Sequence, residues 1–421
     1  TVTFNGQNYS GYKPNGMLSN PDLKWETTIS RNIGLDFGFF SNRLSGTIDA
    51  YWNTTKDLLM CIPIDETTGY SYQYQNIGQT SNKGIEIALN YDIVRTKDFT
   101  FGISATYNYN HNNIDELADN IIAQYGSQWA SSATTPTYDY EFREGKPVGL
   151  IRGYICDGFY TTADFNYDPA TQMYTLKPGV ADLGNQVGNY PSHYNLPEGQ
   201  KAFPGAIKLR DLDGNGVADT DDVTDLGEIA HPHTGGVNLN MTWKNIDFSA
   251  GFAWAAGGHV YNVNSLINMY GNKDTGAGAN KLAFVKDCYQ IYDIQNGELV
   301  PVVDPDALDA LNAGAKYGVP YMENGTVLST FVENASFLRL NTLTIGYTFP
   351  KAWTQKIGMQ RARIYATAGN LFTITGYSGI DPEVNADPNK STTAANTGNY
   401  PLLGMDYGTY PRARTFTFGV N

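Results

Sequence analysis

The sequence predicts an all-β chain, a transmembrane antiparallel β-barrel with long extracellular loops, and three observations carry that prediction. Stretches of about ten residues alternate strictly between apolar and polar side chains, which is the length a tilted strand needs to cross a bilayer. Among 421 residues there are 30 Tyr, 19 Phe, 6 Trp and 44 Gly but only 17% charged residues, a composition suited to twisted strands joined by polar turns. Short and long connections follow one another in strict turn, the asymmetry of bacterial outer-membrane barrels.

The first alternating stretch sets Ile33, Leu35, Phe37 and Phe39 against Asn32, Gly34, Asp36 and Gly38. After Ser41-Asn42 the second sets Leu44, Ile48, Ala50 and Trp52 against Ser45, Thr47, Asp49 and Asn53. The third carries Ile85, Ile87, Leu89 and Tyr91; the fourth, from Phe99 to Asn110, has aromatics at both ends of its apolar face. Val237, Leu239, Met241 and Trp243 mark the fifth, and Phe248, Ala250, Phe252 and Trp254 the sixth. The last three run through Leu343 to Phe349, Ala362 to Ala368, and Phe416 to Val420. Tyr and Trp at the strand ends suit the membrane interfaces.

These stretches make about nine membrane strands, and an odd number cannot close a single-chain antiparallel barrel. The chain is therefore expected to be part of a larger one. Residues 1–26 form a leading segment and 27–421 the barrel, with 111–235 as one large extracellular loop. Segments 147–160 and 205–211 also read as extended, but two further crossings would need a long link on the short-turn side, so they belong to that loop. The same parity places Asn421 at the periplasmic end.

A net charge of −14 disfavours nucleic acid, whose binding relies on Lys and Arg contacts to phosphate. No apolar run of about 18 residues exists, so membrane-spanning helices are excluded. Cys61, Cys156 and Cys288 lack metal-ligand spacing. A soluble β-sandwich also alternates, but with shorter loops and a polar outer face.

One motif has specific chemistry. Asp211, Asp213, Asn215, Gly216, Val217, Asp219 and Asp222 match the EF-hand type of loop, with Asp222 in the place of the usual closing Glu. A hard cation takes roughly six to eight oxygens, and carboxylates at alternate positions converge on it. Gly216 would make the sharp turn and Val217 offer its carbonyl. The expected ligand set is Asp211, Asp213, Asn215, Val217, Asp219 and Asp222, holding a structural Ca²⁺ in the extracellular loop.

Tyr125, Trp129, Tyr138 and Tyr140 lie in that polar loop and are expected either to stack on a sugar or to pack the loop on itself. His231 and His233 flank Pro232, which splays them, with no third ligand nearby. Asp139, Glu141, Glu144 and Asp157 have no spacing that fixes a catalytic carboxylate pair.

Several further segments occur in a telling order. They are Asn20-Pro21-Asp22-Leu23-Lys24-Trp25-Glu26, Asn82-Lys83-Gly84-Ile85-Glu86, Glu144-Gly145-Lys146-Pro147-Val148-Gly149, Ala335-Ser336-Phe337-Leu338-Arg339-Leu340, Gly369-Asn370-Leu371-Phe372 and Asp381-Pro382-Glu383. Together they resemble the SusC/RagA family of TonB-dependent transporters of Bacteroidota. The resemblance implies a barrel of about 22 strands holding a plug. It also implies drive by TonB, a lid formed by a SusD-like surface lipoprotein, and import of oligosaccharides or peptides without covalent chemistry. Against that pattern the chain is expected to be the C-terminal part of the barrel, without plug or TonB-contacting segment. The competing expectations are a surface or secreted β-protein that binds carbohydrate with a calcium-stabilised loop, and an outer-membrane hydrolase. Solubility without detergent would favour the former, and a Ser/His or paired-acid constellation the latter.

Overall fold

Alternation and turn chemistry build one long ladder in the computed structural model. It describes residues 2–4, 7–9, 17–70, 72–117, 123–125, 140–187, 193–269, 281–322, 326–384, 404–406 and 410–421. Nine strands form the main sheet: β1 (Thr27–Phe39), β2 (Leu44–Lys56), β3 (Gln79–Arg95), β4 (Phe99–Glu116) and β5 (His233–Trp243), followed by β6 (Ile246–Ala256), β7 (Phe337–Thr348), β8 (Arg363–Thr375) and β9 (Thr415–Val420). Each pairs antiparallel with its sequence neighbours, in the order β1 to β9, and the sheet is open.

Turn residues explain the tight ends. Between β1 and β2 the backbone takes positive φ at Phe40, Ser41 and Asn42, and Lys244 does the same between β5 and β6. The long connections all emerge at the other end, as expected. Extended segments Leu150–Gly153, Cys156–Phe159 and Ile207–Leu209 lie in small sheets separate from the nine-stranded one.

The alternation ends β4 at Asn110, whereas the strand continues to Glu116. Apolar spacing stops there, but polar side chains carry the ladder on. Asn82 accepts from Asn110 and Asn112 at 3.4 and 2.9 Å, and Ser81 donates to Asp115 at 2.7 Å. The loop predicted over 111–235 is accordingly shortened to 117–232.

Directly paired residues share a face, so register sorts the sheet into two surfaces. Ile33, Ala50, Ile85 and Tyr109 stand in one row, with Leu35, Ile48, Ile87 and Tyr107 in the next. This face leaves Ile33 67%, Leu35 61% and Phe418 79% exposed, an apolar surface that water does not tolerate and lipid does. The opposite face carries amides and hydroxyls, with Tyr51 donating to Asn110 at 2.9 Å and Asn108 to Thr234 at 3.4 Å.

Gly84 sits under the Tyr51 ring, and a Cβ there would lie 2.3 Å from the Tyr109 carbonyl oxygen and 2.4 Å from the Tyr51 hydroxyl. The ring thus covers the backbone that glycine exposes. Gly84→Val is expected to cost about 1–3 kcal/mol, as overpacking does. A wild-type urea midpoint for the variant in detergent would refute this packing.

A second core lies outside the sheet. It joins the two longest connections, bringing Tyr154, Tyr160, Tyr174, Leu183, Phe203 and Ile207 together with Tyr261, Leu266, Met269, Leu308, Val327 and Leu328. Contacts of great sequence separation hold it: Tyr174 donates to the Val303 carbonyl at 2.6 Å, and the Tyr154 N–H donates to that of Val327 at 2.9 Å.

Candidate functional site

The acidic loop sits on this second core. Arg210, just before it, makes a fork to Asp157 at 2.9 and 2.6 Å and so fastens the strand Ile207–Leu209 to its partner Cys156–Phe159. Beyond the turn, Asp182 exchanges backbone bonds with Gly216 and Ala218, both at 2.9 Å. Ala218 is fully buried, so the loop is clamped at both ends.

Inside the loop the side-chain oxygens turn inward because backbone N–H groups hold them. Asp211 accepts from Gly214 at 2.7 Å and from Gly216 at 2.8 Å, and Gly214 and Gly216 have φ of 78° and 92°. Such φ suits glycine, which is why the sharp turn falls there. Asp213 accepts from the Asn215 N–H at 2.9 Å, and Asn215 Oδ1 from Val217 at 2.8 Å. Asn215 Nδ2 donates to Asp219 at 3.1 Å. Asp222 is fully buried and accepts from the N–H groups of Leu212 at 2.5 Å and Asp219 at 2.8 Å.

The result is that Asp211, Asp213 and Asp222 place carboxylate oxygens within 4.8 Å of one another. Among the described residues no Lys or Arg pairs with these three acids. Asn215, Val217 and Asp219 lie in the same loop, joined to it by the bonds above. Hard oxygen donors gathered without a counter-cation fit a cation such as Ca²⁺. The N–H of Gly216 is the first cause that lowers the Asp211 pKa below its ordinary value. Tyr154 is buried, and its hydroxyl has no hydrogen-bond partner among the described residues. Its pKa is raised, first by burial and then by the charges of Asp219 and Asp222.

Of the loop aromatics, Tyr125 and Tyr140 stand opposite each other in the backbone pairing of residues 123–125 with 140–142. Trp129 and Tyr138 lie outside the described residues, as does Asp139. Glu141 is buried against Arg152 at 2.6 Å and Arg143 at 3.0 Å, and Asp157 is held by Arg210, so these acids serve ion pairs. The two histidines beside Pro232 do part company, His231 bonding the Ala335 carbonyl at 3.1 Å and His233 the Tyr107 hydroxyl at 2.9 Å. Cys156 and Cys288 are free thiols, and burial, helped by Asp287, pushes Cys288 up to about 11.

Two networks join residues that the sequence showed only in separate segments. Arg339 is buried beside Asp381 at 2.6 Å and Glu383 at 2.7 Å, and Arg412 reaches Glu383 at 3.3 Å. Arg152 bridges Glu141 to Asp225 at 3.1 Å, where Lys146 also binds at 2.7 Å. A lone Arg at a position otherwise facing the polar side of a strand was the available signal for the first.

The model of the family described as "TonB dependent receptor-like, beta-barrel" matches residues 2–371. The chain belongs to that family. The receptor is 30% identical over 404 residues to TonB-dependent receptor P3 of Formosa agariphila, covering 96% of this chain and 35% of that protein. It is 28% identical to TonB-dependent receptor SusC of Bacteroides thetaiotaomicron, covering 99% and 34%. Among solved structures the RagAB peptide transporter superposes with a TM-score of 0.65 at 24% identity, over 96% of this chain and 36% of that one, a likeness of fold. The chain thus spans about a third of the length of these relatives. Its family is one of outer-membrane transporters and not of enzymes.

Proposed function

We propose that the receptor is the barrel component of a SusC-like, TonB-dependent uptake system that imports an oligomeric nutrient, an oligosaccharide or a peptide, across the outer membrane. The family match over residues 2–371 carries this reading, supported by a sheet with one lipid-compatible face and one face of amides and hydroxyls. In this reading the long connections lie outside the cell and Asn421 lies on the periplasmic side. TonB supplies the drive, and a SusD-like surface lipoprotein closes over the external loops. Tyr125, Trp129, Tyr138 and Tyr140 offer rings on which a sugar or a peptide side chain stacks. Deleting the gene for the full-length receptor should abolish growth on the oligomer and spare growth on its monomer. Equal growth on both would sink the transport reading, and the oligosaccharide and peptide arms decide the substrate class.

Within this reading Asp211, Asp213, Asn215, Val217, Asp219 and Asp222 hold a structural Ca²⁺ that stiffens the external body. Extracellular calcium modules bind at roughly 10⁻⁴–10⁻³ M, so millimolar calcium should fill the site. Asp211→Asn together with Asp213→Asn should increase proteolysis near residues 211–222, as should a chelator on the wild type. Cleavage indifferent to both would remove the ion from the account. The sign with pH follows from the lowered Asp211 pKa. A carboxyl depressed in the folded loop contributes order above its ordinary value, and that order is lost as pH falls through the folded value. Terbium luminescence at the loop should therefore be steady near neutrality and vanish in acid; a signal rising in acid would contradict the assignment.

A further inference from the structure

On the lipid-compatible face the apolar rows end abruptly. Four rows run from Phe39, Leu44 and Tyr91 to Ile33, Ala50, Ile85 and Tyr109, and the next row toward the long loops is Arg31, Trp52, Lys83 and His111. Arg31, Lys83 and His111 are exposed, and Trp52 is 39% exposed between them. Among the described residues none of the three bases is in an ion pair. The carboxylate just beyond them, Asp115, accepts from Ser81 at 2.7 Å, Asn113 at 2.8 Å and Gln79 at 3.3 Å, and Lys83 acts on it electrostatically without pairing with it. At the same end of the next strands the face carries His233, Trp254, Leu338 and Ile374, with no Lys or Arg. In a chain of net charge −14, Arg31, Lys83 and His111 stand in one row across four adjacent strands, while Lys56 and His233 lie on the same face outside that row.

We propose that Arg31, Lys83 and His111, with Trp52 between them, bind the phosphates of a phosphorylated glycolipid in the outer leaflet. Their height is set by the apolar band: side chains one row further in meet acyl chains, and this row meets headgroups. Strands stand about 4.8 Å apart, so Arg31 and Lys83 are separated by about 10 Å and Lys83 and His111 by about 5 Å. A single phosphate cannot span that row, whereas a sugar headgroup carrying two phosphates can, with Trp52 against its sugar or acyl flank. Charge-assisted bonds from guanidinium and ammonium to phosphate supply the attraction. Choosing the outer leaflet rests on the orientation proposed above.

The test uses the full-length receptor in detergent and native mass spectrometry, with lipid A, dephosphorylated lipid A, phosphatidylglycerol and inorganic phosphate as probes. Wild type should retain lipid A and not its dephosphorylated form. Arg31→Gln, Lys83→Gln and His111→Gln combined should lower retention at least tenfold, while Arg31→Lys with Lys83→Arg keeps it. Heat-modifiable migration on gels confirms that each variant is folded. Equal lipid A retention by the triple variant overturns the site, and complete displacement by millimolar inorganic phosphate overturns a glycolipid in favour of any anion. Retention of phosphatidylglycerol in place of lipid A overturns the glycolipid and the orientation together, leaving the import reading to the growth experiment.

Discussion

Arg339→Ala should cost the receptor about 3–5 kcal/mol, the range for removing one partner of a buried ion pair. Arg339 is only 1% exposed on its side chain. Its two terminal nitrogens reach Asp381 and Glu383, and Nε donates to Thr373 on β8 at 3.0 Å. Its guanidinium also lies 5.2 Å from the centre of the Phe337 ring. Truncation leaves Asp381, 12% exposed, without its cation and unties the segment after β8 from β7. Arg339→Lys keeps the charge but not the two-pronged geometry, so it should fall between wild type and alanine. Urea midpoints in detergent measure the loss, and proteolysis after β8 locates it. An alanine variant with the wild-type midpoint would show that the pair adds nothing, the carboxylates being satisfied by water.

Ile87→Arg should cost about 2–4 kcal/mol, the penalty for a cation on the lipid face near the membrane midplane. Ile87 is the middle residue of β3 and stands between Ile48 and Tyr107 in its row. Its chain neighbour Ala88 points to the other face, between Thr47 and Thr106, so Ala88→Arg should change stability by less than about 1 kcal/mol. The incoming cation is the same at both adjacent positions, so beyond the propensity and apolar area lost with Ile87 the contrast reports the medium on each side. Equal costs would mean that both faces meet water, and the membrane reading would fail.

The strands of the barrel were legible because a strand written for two different media repeats every two residues, and that repeat is local. Apolar spacing from Ile33 to Phe39 or from Phe99 to Tyr109 fixes the element and its face without any distant information. Turn chemistry at Ser41-Asn42 and Lys244-Asn245 is equally local, so the alternation of short and long connections could be read directly. The acidic loop was legible for the same reason, its carboxylates lying within one short segment.

What lay beyond the sequence was assembled across long separations. The second core sets Tyr174 beside Val303 and Tyr154 beside Val327, residues far apart in the chain, with no period to reveal which loop meets which. Arg339 meets Asp381 only after β7 and β8 have paired, and Arg152 meets Glu141 and Asp225 only when three segments close on one another. The row of Arg31, Lys83 and His111 likewise depends on register between four strands. The sequence by itself therefore determined the strands, their faces and the acidic loop, because period and spacing are local properties. Only the tertiary structure decided how the long connections pack and which charges meet, because those depend on free energies of contact between segments that local pattern does not connect.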